Sequence, residues 1–78
     1  MMTVKILGSG CANCRKLEAV AREAAVAAGV EAEFVKVTDL NDIMAYDILS
    51  TPGLVIDDKV VSAGRIPAKA EIQGWMAG

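Results

Sequence analysis

Histidine is absent from this chain. That excludes Cys–His nucleophilic pairs, imidazole acid–base chemistry and Cys2His2 zinc sites together. A basic excess is also missing. The net charge is −2 and the pI about 4.9, which argues against a nucleic-acid partner. Apolar runs are far too short to span a bilayer, so no membrane partner is expected. The start, Met1-Met2-Thr3-Val4-Lys5, lacks the long apolar stretch of a signal peptide, and a cytoplasmic location is expected. There a disulfide is more often catalytic or transient than structural. Gly8-Ser9-Gly10 has neither the later glycine nor the Gly-Lys-Ser/Thr ending of a phosphate loop. No flavin or nicotinamide site is recognisable, so no cofactor is expected. Repeats, linkers and low-complexity segments are lacking too.

What remains is a compact alternation of short elements. Seventy-eight residues make a single domain, residues 1–78, with a core so small that every element must contribute. At 54% hydrophobic residues the chain is not disordered. Thr3 to Leu7 reads as a strand bounded by glycines. A helix follows from about Cys11 to Ala28 and stops at Gly29, with Leu17, Val20, Ala21, Ala24 and Ala28 at helical spacing. Glu18 and Arg22 form an i,i+4 pair on its wet side. The alanine-rich stretch from Ala19 to Ala28 is a close-packed helix rather than a membrane anchor, because Arg22 and Glu23 interrupt it. Glu33 to Val37 is a second strand, and the strand–helix–strand run implies a right-handed parallel crossover.

Thr38 or Asp39 can cap a short helix from Leu40 to Tyr46, with Leu40, Ile43 and Met44 facing inward. Gly53 to Ile56 and Lys59 to Ala63 form a hairpin about Asp57-Asp58, where Asp58 must take a positive φ. That pair is a turn, not a catalytic carboxylate dyad. Pro67 opens the last helix, which buries Ile72, Trp75 and Met76. Ala68 stands three residues before Glu71, where a serine would complete a capping box; its absence costs about 1 kcal/mol. The order β-α-β-α-β-β-α gives an α/β fold, a four-stranded mixed sheet with helices on both faces. Tyr46 and Trp75 read as packing residues.

Chemistry is concentrated in Cys11-Ala12-Asn13-Cys14, which holds the only two cysteines. Such a pair can cycle between dithiol and disulfide, clamp a soft metal, or simply pack. A Cys-x-x-Cys leading a helix inside a βαβ pattern points to the first. Unpaired amides and the helix dipole favour a thiolate at Cys11, with Arg15 and Lys16 able to add positive potential. Cys14, one turn deeper on the buried stripe, suits the resolving role. Lys5 is unusual in a central strand. Two placements are open to it: reaching out to the edge, or lying under the thiols and favouring the thiolate. Thr51-Pro52 precedes a buried strand, where a cis bond can be selected, and the free Thr51 backbone would then pair with an extended substrate segment.

Gly8-Ser9-Gly10-Cys11-Ala12-Asn13-Cys14, then Thr51-Pro52-Gly53-Leu54-Val55-Ile56-Asp57, then Lys59-Val60-Val61-Ser62-Ala63-Gly64-Arg65-Ile66-Pro67 resembles the small thioredoxin-like redox-active disulfide proteins of archaea and bacteria. The likeness covers nearly the whole chain. It implies a thioredoxin/glutaredoxin-like fold, Cys11 as nucleophile, Cys14 as resolving thiol and Pro52 in cis. Thioredoxins proper keep a buried acid about six residues before the first cysteine, where this chain has Lys5.

The expected activity is therefore thiol–disulfide exchange with protein disulfides. Substrate backbone lies against Thr51, and Gly10, Ala63 and Gly64 leave room for it. A separate reductase of the thioredoxin-reductase kind restores the dithiol. The alternative is a soft-metal module for Cu(I) or arsenite. Gly8 to Cys14 looks much like the Gly-Met-x-Cys-x-x-Cys run of copper chaperones, but Ser9 stands where those have methionine. Their final strand would also have to fall where Ile72 to Met76 reads as helix.

Overall fold

The computed structural model describes every residue except Ser9, Cys11, Leu49 and Gly78. Its elements run β1 (Met2–Leu7), α1 (Ala12–Ala28), β2 (Ala32–Val37), α2 (Leu40–Met44), β3 (Gly53–Ile56), β4 (Lys59–Ala63) and α3 (Lys69–Ala77). The sheet order is β2-β1-β3-β4. β1 pairs in parallel with β2, from Met2 opposite Ala32 to Leu7 opposite Val37. It pairs antiparallel with β3, Val4 lying opposite Ile56 and Leu7 opposite Gly53. This is the expected α/β architecture with a mixed sheet.

Alternation along the strands sorts the core into two layers. Val4 and Ile6 of β1 and Leu54 and Ile56 of β3 join Leu17, Ala21, Ala24 and Ala25 of α1 and Ile72 and Met76 of α3. The alanines let α1 approach the sheet closely. On the other face Leu7, Val55 and Ile43 form a smaller cluster, completed by half-buried Val37, Tyr46 and Ile48.

Local chemistry fixes the ends of the elements. At the end of α1, Gly29 has φ 68°. The Val30 amide donates to Ala25 O at 3.0 Å and the Gly29 amide to Val26 O at 3.1 Å, the two bonds of a Schellman ending. Asp39 caps α2, its Oδ1 accepting from the amides of Asn41 (2.8 Å) and Asp42 (3.4 Å). In the hairpin both Asp57 (φ 47°) and Asp58 (φ 68°) are left-handed, as a two-residue primed turn requires. Asp57 is tied to β1 in compensation: its carboxylate accepts from the Thr3 amide and its own amide donates to Thr3 O, both at 2.9 Å.

Two expectations are corrected, and one irregularity is new. The short helix ends at Met44, not Tyr46, and only Ile43 points inward; Leu40 and Met44 are 68% and 61% exposed. Five residues are too few turns to aim three side chains one way. β4 carries an irregularity, since Leu54 pairs with Ser62 but Val55 with Val60, leaving Val61 as the extra residue of a bulge. The last helix begins at Lys69 rather than at Pro67, which is buried before it. The missing serine cap is partly replaced there. Glu71 accepts from the Ala68 amide at 3.2 Å and is held by Arg65 at 2.9 and 3.2 Å.

Candidate active site at the strand–helix turn

Gly8 follows β1, and its amide continues the parallel ladder by donating to Val37 O at 3.0 Å. Gly10, with φ 82°, turns the chain toward α1. Cys11 lies outside the described residues, so the site is built from its neighbours. Cys14 is 5% exposed and points from the first turn of α1 back to Gly8. The approach is so close that a Cβ on Gly8 would collide with Cys14 Sγ, and it would stand 3.9 Å from Thr51 Cβ. Gly8 is therefore the point at which Cys14 and the Thr51–Pro52 loop converge.

That loop is exposed at Thr51 and buried at Pro52, and the peptide bond between them is cis, the isomer the resemblance implied. Pro52 O accepts from the Gly64 amide at 2.9 Å, which draws the end of β4 alongside the loop. Gly64 has φ 78°, and a Cβ there would collide with Ser50 Oγ. A Cβ on Gly53 would lie 2.8 Å from Ile48 Cδ1. Among the described residues, no hydrogen bond engages the Thr51 amide or carbonyl. Thr51, Pro52 and Gly64 thus form one rim and Gly8, Gly10 and Cys14 the other.

Lys5 is not part of this rim. Its Nζ donates to Tyr46 Oη at 2.9 Å, lies 5.6 Å from the Tyr46 ring centre, and reaches Asp58 Oδ1 at 3.8 Å. The ammonium leans toward the β3–β4 turn, at the end of β1 remote from Gly8. Of its two expected placements, the outward one is adopted. The hydrogen bond and charge of Tyr46 hold its pKa above the usual lysine value, with smaller help from Asp58 and Asp42. Arg15 is exposed on α1 next to Cys14.

Reading the sequence missed the other side of Cys14. Glu18 is not on a wet face. Its side chain is 16% exposed between α1 and β2, bonded to Arg22 at 2.9 Å and to Lys36 at 3.3 Å. Burial alone pushes the Glu18 carboxyl up, but hydrogen bonds from Arg22 and Lys36 outweigh it and leave the pKa below the usual carboxylate range. Cys14, Arg15, Glu18, Lys36 and Thr38 line a shared cavity. The i,i+4 spacing of Cys14 and Glu18 was the available signal.

A family model described as thioredoxin domain matches residues 2–77. The chain belongs to the thioredoxin family. Two archaeal relatives are both named thioredoxin. That of Methanothermobacter thermautotrophicus is 41% identical over 73 residues, spanning 94% of this chain and 95% of its own. That of Methanocaldococcus jannaschii is 38% identical over 73 residues, spanning 94% and 84%. Among the described residues of this thioredoxin-family chain, no helix is long and apolar enough to cross a membrane.

Proposed function

We propose that the protein is a thiol–disulfide oxidoreductase working on protein disulfides through Cys11 and Cys14, in the cytoplasm. The observation that carries this reading is the convergence of Cys14, Gly8 and Thr51 in a chain of the thioredoxin family. The reaction has two displacements. The Cys11 thiolate attacks one substrate sulfur, forming a mixed disulfide and expelling the other sulfur as thiolate. Cys14, as thiolate, then attacks Cys11 Sγ. The Cys11–Cys14 bond forms, the bond to substrate breaks, and the second substrate sulfur leaves with the electron pair. Both substrate thiolates take protons from solvent. The substrate gains two electrons and the chain loses them, so an external reductase must return them before the next cycle.

Position supports the division of labour. Cys14 is buried behind Gly8, as suits a thiol that acts second rather than one that meets substrate first. The exposed Thr51 edge offers an amide and a carbonyl to an extended substrate segment, in the manner of strand addition. Gly10 and Gly64 border that edge without side chains.

The test is a trapping experiment. Cys14→Ser is expected to accumulate a stable mixed disulfide with substrate, visible by non-reducing electrophoresis and mass, while Cys11→Ser forms none. Normal turnover by Cys14→Ser contradicts the assignment. Elemental analysis of anaerobically purified protein separates exchange from Cu(I) or arsenite carriage.

A further inference from the structure

Tyr46 stands where α2 gives way to the connection that carries Thr51. α2 itself grips the sheet weakly: it buries only Ile43, while Leu40 and Met44 face solvent. Beyond Tyr46, Asp47 takes φ 58° and turns the chain, Ile48 tucks in beside Gly53, and Thr51 emerges exposed. A depression of about 320 Å³ with Val35, Val37 and Ala45 in its wall lies open beside Tyr46, so α2 leaves the β1–β2 side of the sheet uncovered. Among the described residues, the one hydrogen bond that ties residues 40–51 to the sheet runs from Lys5 Nζ to Tyr46 Oη.

Lys5 is a firm point of attachment. β1 is an interior strand, and Lys5 is paired on both sides, with Val35 of β2 and Val55 of β3. Such positions open last in a small fold. Its side chain is 28% exposed and has two carboxylates near it, yet Nζ is 3.8 Å from Asp58 Oδ1 and 2.9 Å from the phenol oxygen; Asp42 acts on it through charge alone. The ring centre is 5.6 Å from Nζ. That is about the length of the hydrogen bond added to the distance of the hydroxyl from its own ring centre. The ammonium therefore sits off the hydroxyl end, not over the ring face, and the contact depends on the hydroxyl. We propose that Lys5 and Tyr46 are positioning residues for protein substrates: their contact fastens the start of the 45–51 connection to the central strand and so holds the Thr51 backbone ready for an extended substrate segment. The inference rests on Thr51 being the edge that substrate backbone meets. A small disulfide has no extended backbone and gains nothing from that edge.

Tyr46→Phe removes the hydroxyl and keeps the packed ring. With insulin as the protein disulfide and dithiothreitol as reductant, it is expected to raise KM about threefold, modest because the ammonium is partly solvated. kcat should not change, since return of electrons from a small thiol does not use the Thr51 edge. Reaction of the reduced protein with 5,5′-dithiobis(2-nitrobenzoate) should not change either. Lys5→Met is expected to act alike, Lys5→Arg to keep KM near its original value, and the double change Lys5→Met with Tyr46→Phe to do no more than either alone, because both remove one contact. Amide exchange reads the fastening without turnover. The amides of Tyr46 and Asp47 donate to Ile43 O and Met44 O at 3.1 and 3.0 Å, and both should exchange faster in Tyr46→Phe while Val4 does not. An unmoved KM or unmoved amide exchange in Tyr46→Phe overturns the proposal. So does an equal loss toward the small disulfide, which marks a general weakening of the fold. Failure of the unaltered protein to reduce either disulfide overturns the exchange reading instead, and the amide exchange still decides whether Lys5 fastens the connection.

Discussion

On one face of the sheet, α1 and α3 bury Val4, Ile6, Leu17, Leu54 and Ile72 in a continuous layer; on the other, the five-residue α2 covers little more than Leu7, Ile43 and Val55. The candidate site draws on both. Cys14 is anchored in α1, on the thick face, whereas Thr51 and Pro52 belong to the connection between α2 and β3. The thick face supplies rigidity to the thiol that must stay hidden. The thin face supplies the exposed backbone that meets a substrate. Local openings concentrate where apolar burial is sparse, so the Thr51 side is the one expected to adapt to different partners.

Substitutions in the two layers test this inequality directly. Leu17→Ala, at a fully buried position of the thick layer, is expected to cost about 3–4 kcal/mol. Ile43→Ala in the thin layer should cost about 2 kcal/mol, at the low end for such truncations because it lies closer to the surface. Denaturant midpoints at unchanged slope read both. An Ile43→Ala loss equal to or greater than that of Leu17→Ala breaks the comparison. Gly8→Ala probes the seam itself. Its Cβ meets Cys14 Sγ, so about 1–3 kcal/mol of stability is lost to overpacking. Exchange should fall further than stability accounts for; retention of full exchange would show that Cys14 need not sit against Gly8. The smallest effect is expected from the double change Leu40→Ser with Met44→Ser, within about 0.5 kcal/mol, since neither side chain is in the core. A loss of 2 kcal/mol or more, on the order of one buried side chain, would restore both residues to the inner face of α2.

The element order was legible because each segment carried its own period and its own stop. Gly29, Asp39 and Asp57-Asp58 act within a few residues of themselves, and local chemistry survives in the sequence. The inner face of α2 was misread because a periodic pattern presumes several turns, and this helix has little more than one. The destination of Lys5 depends on Tyr46, 41 residues away, and no local signal encodes that meeting. Glu18 was paired correctly with Arg22, but Lys36 comes from β2, and that third partner pulls the carboxylate out of solvent. The bulge at Val61 left no trace in composition. Gly8 reads in the sequence as a strand boundary and a motif glycine, with no sign that its missing side chain is what admits Cys14.

The exchange reading stands or falls on whether Cys11 and Cys14 form a reversible couple. Redox titration in defined thiol buffers, read by acid quench, alkylation and mass, measures this without knowledge of the natural substrate. The expected result is a single two-electron transition with a midpoint between about −180 and −300 mV. A pair that never forms an intramolecular disulfide across that range contradicts the account.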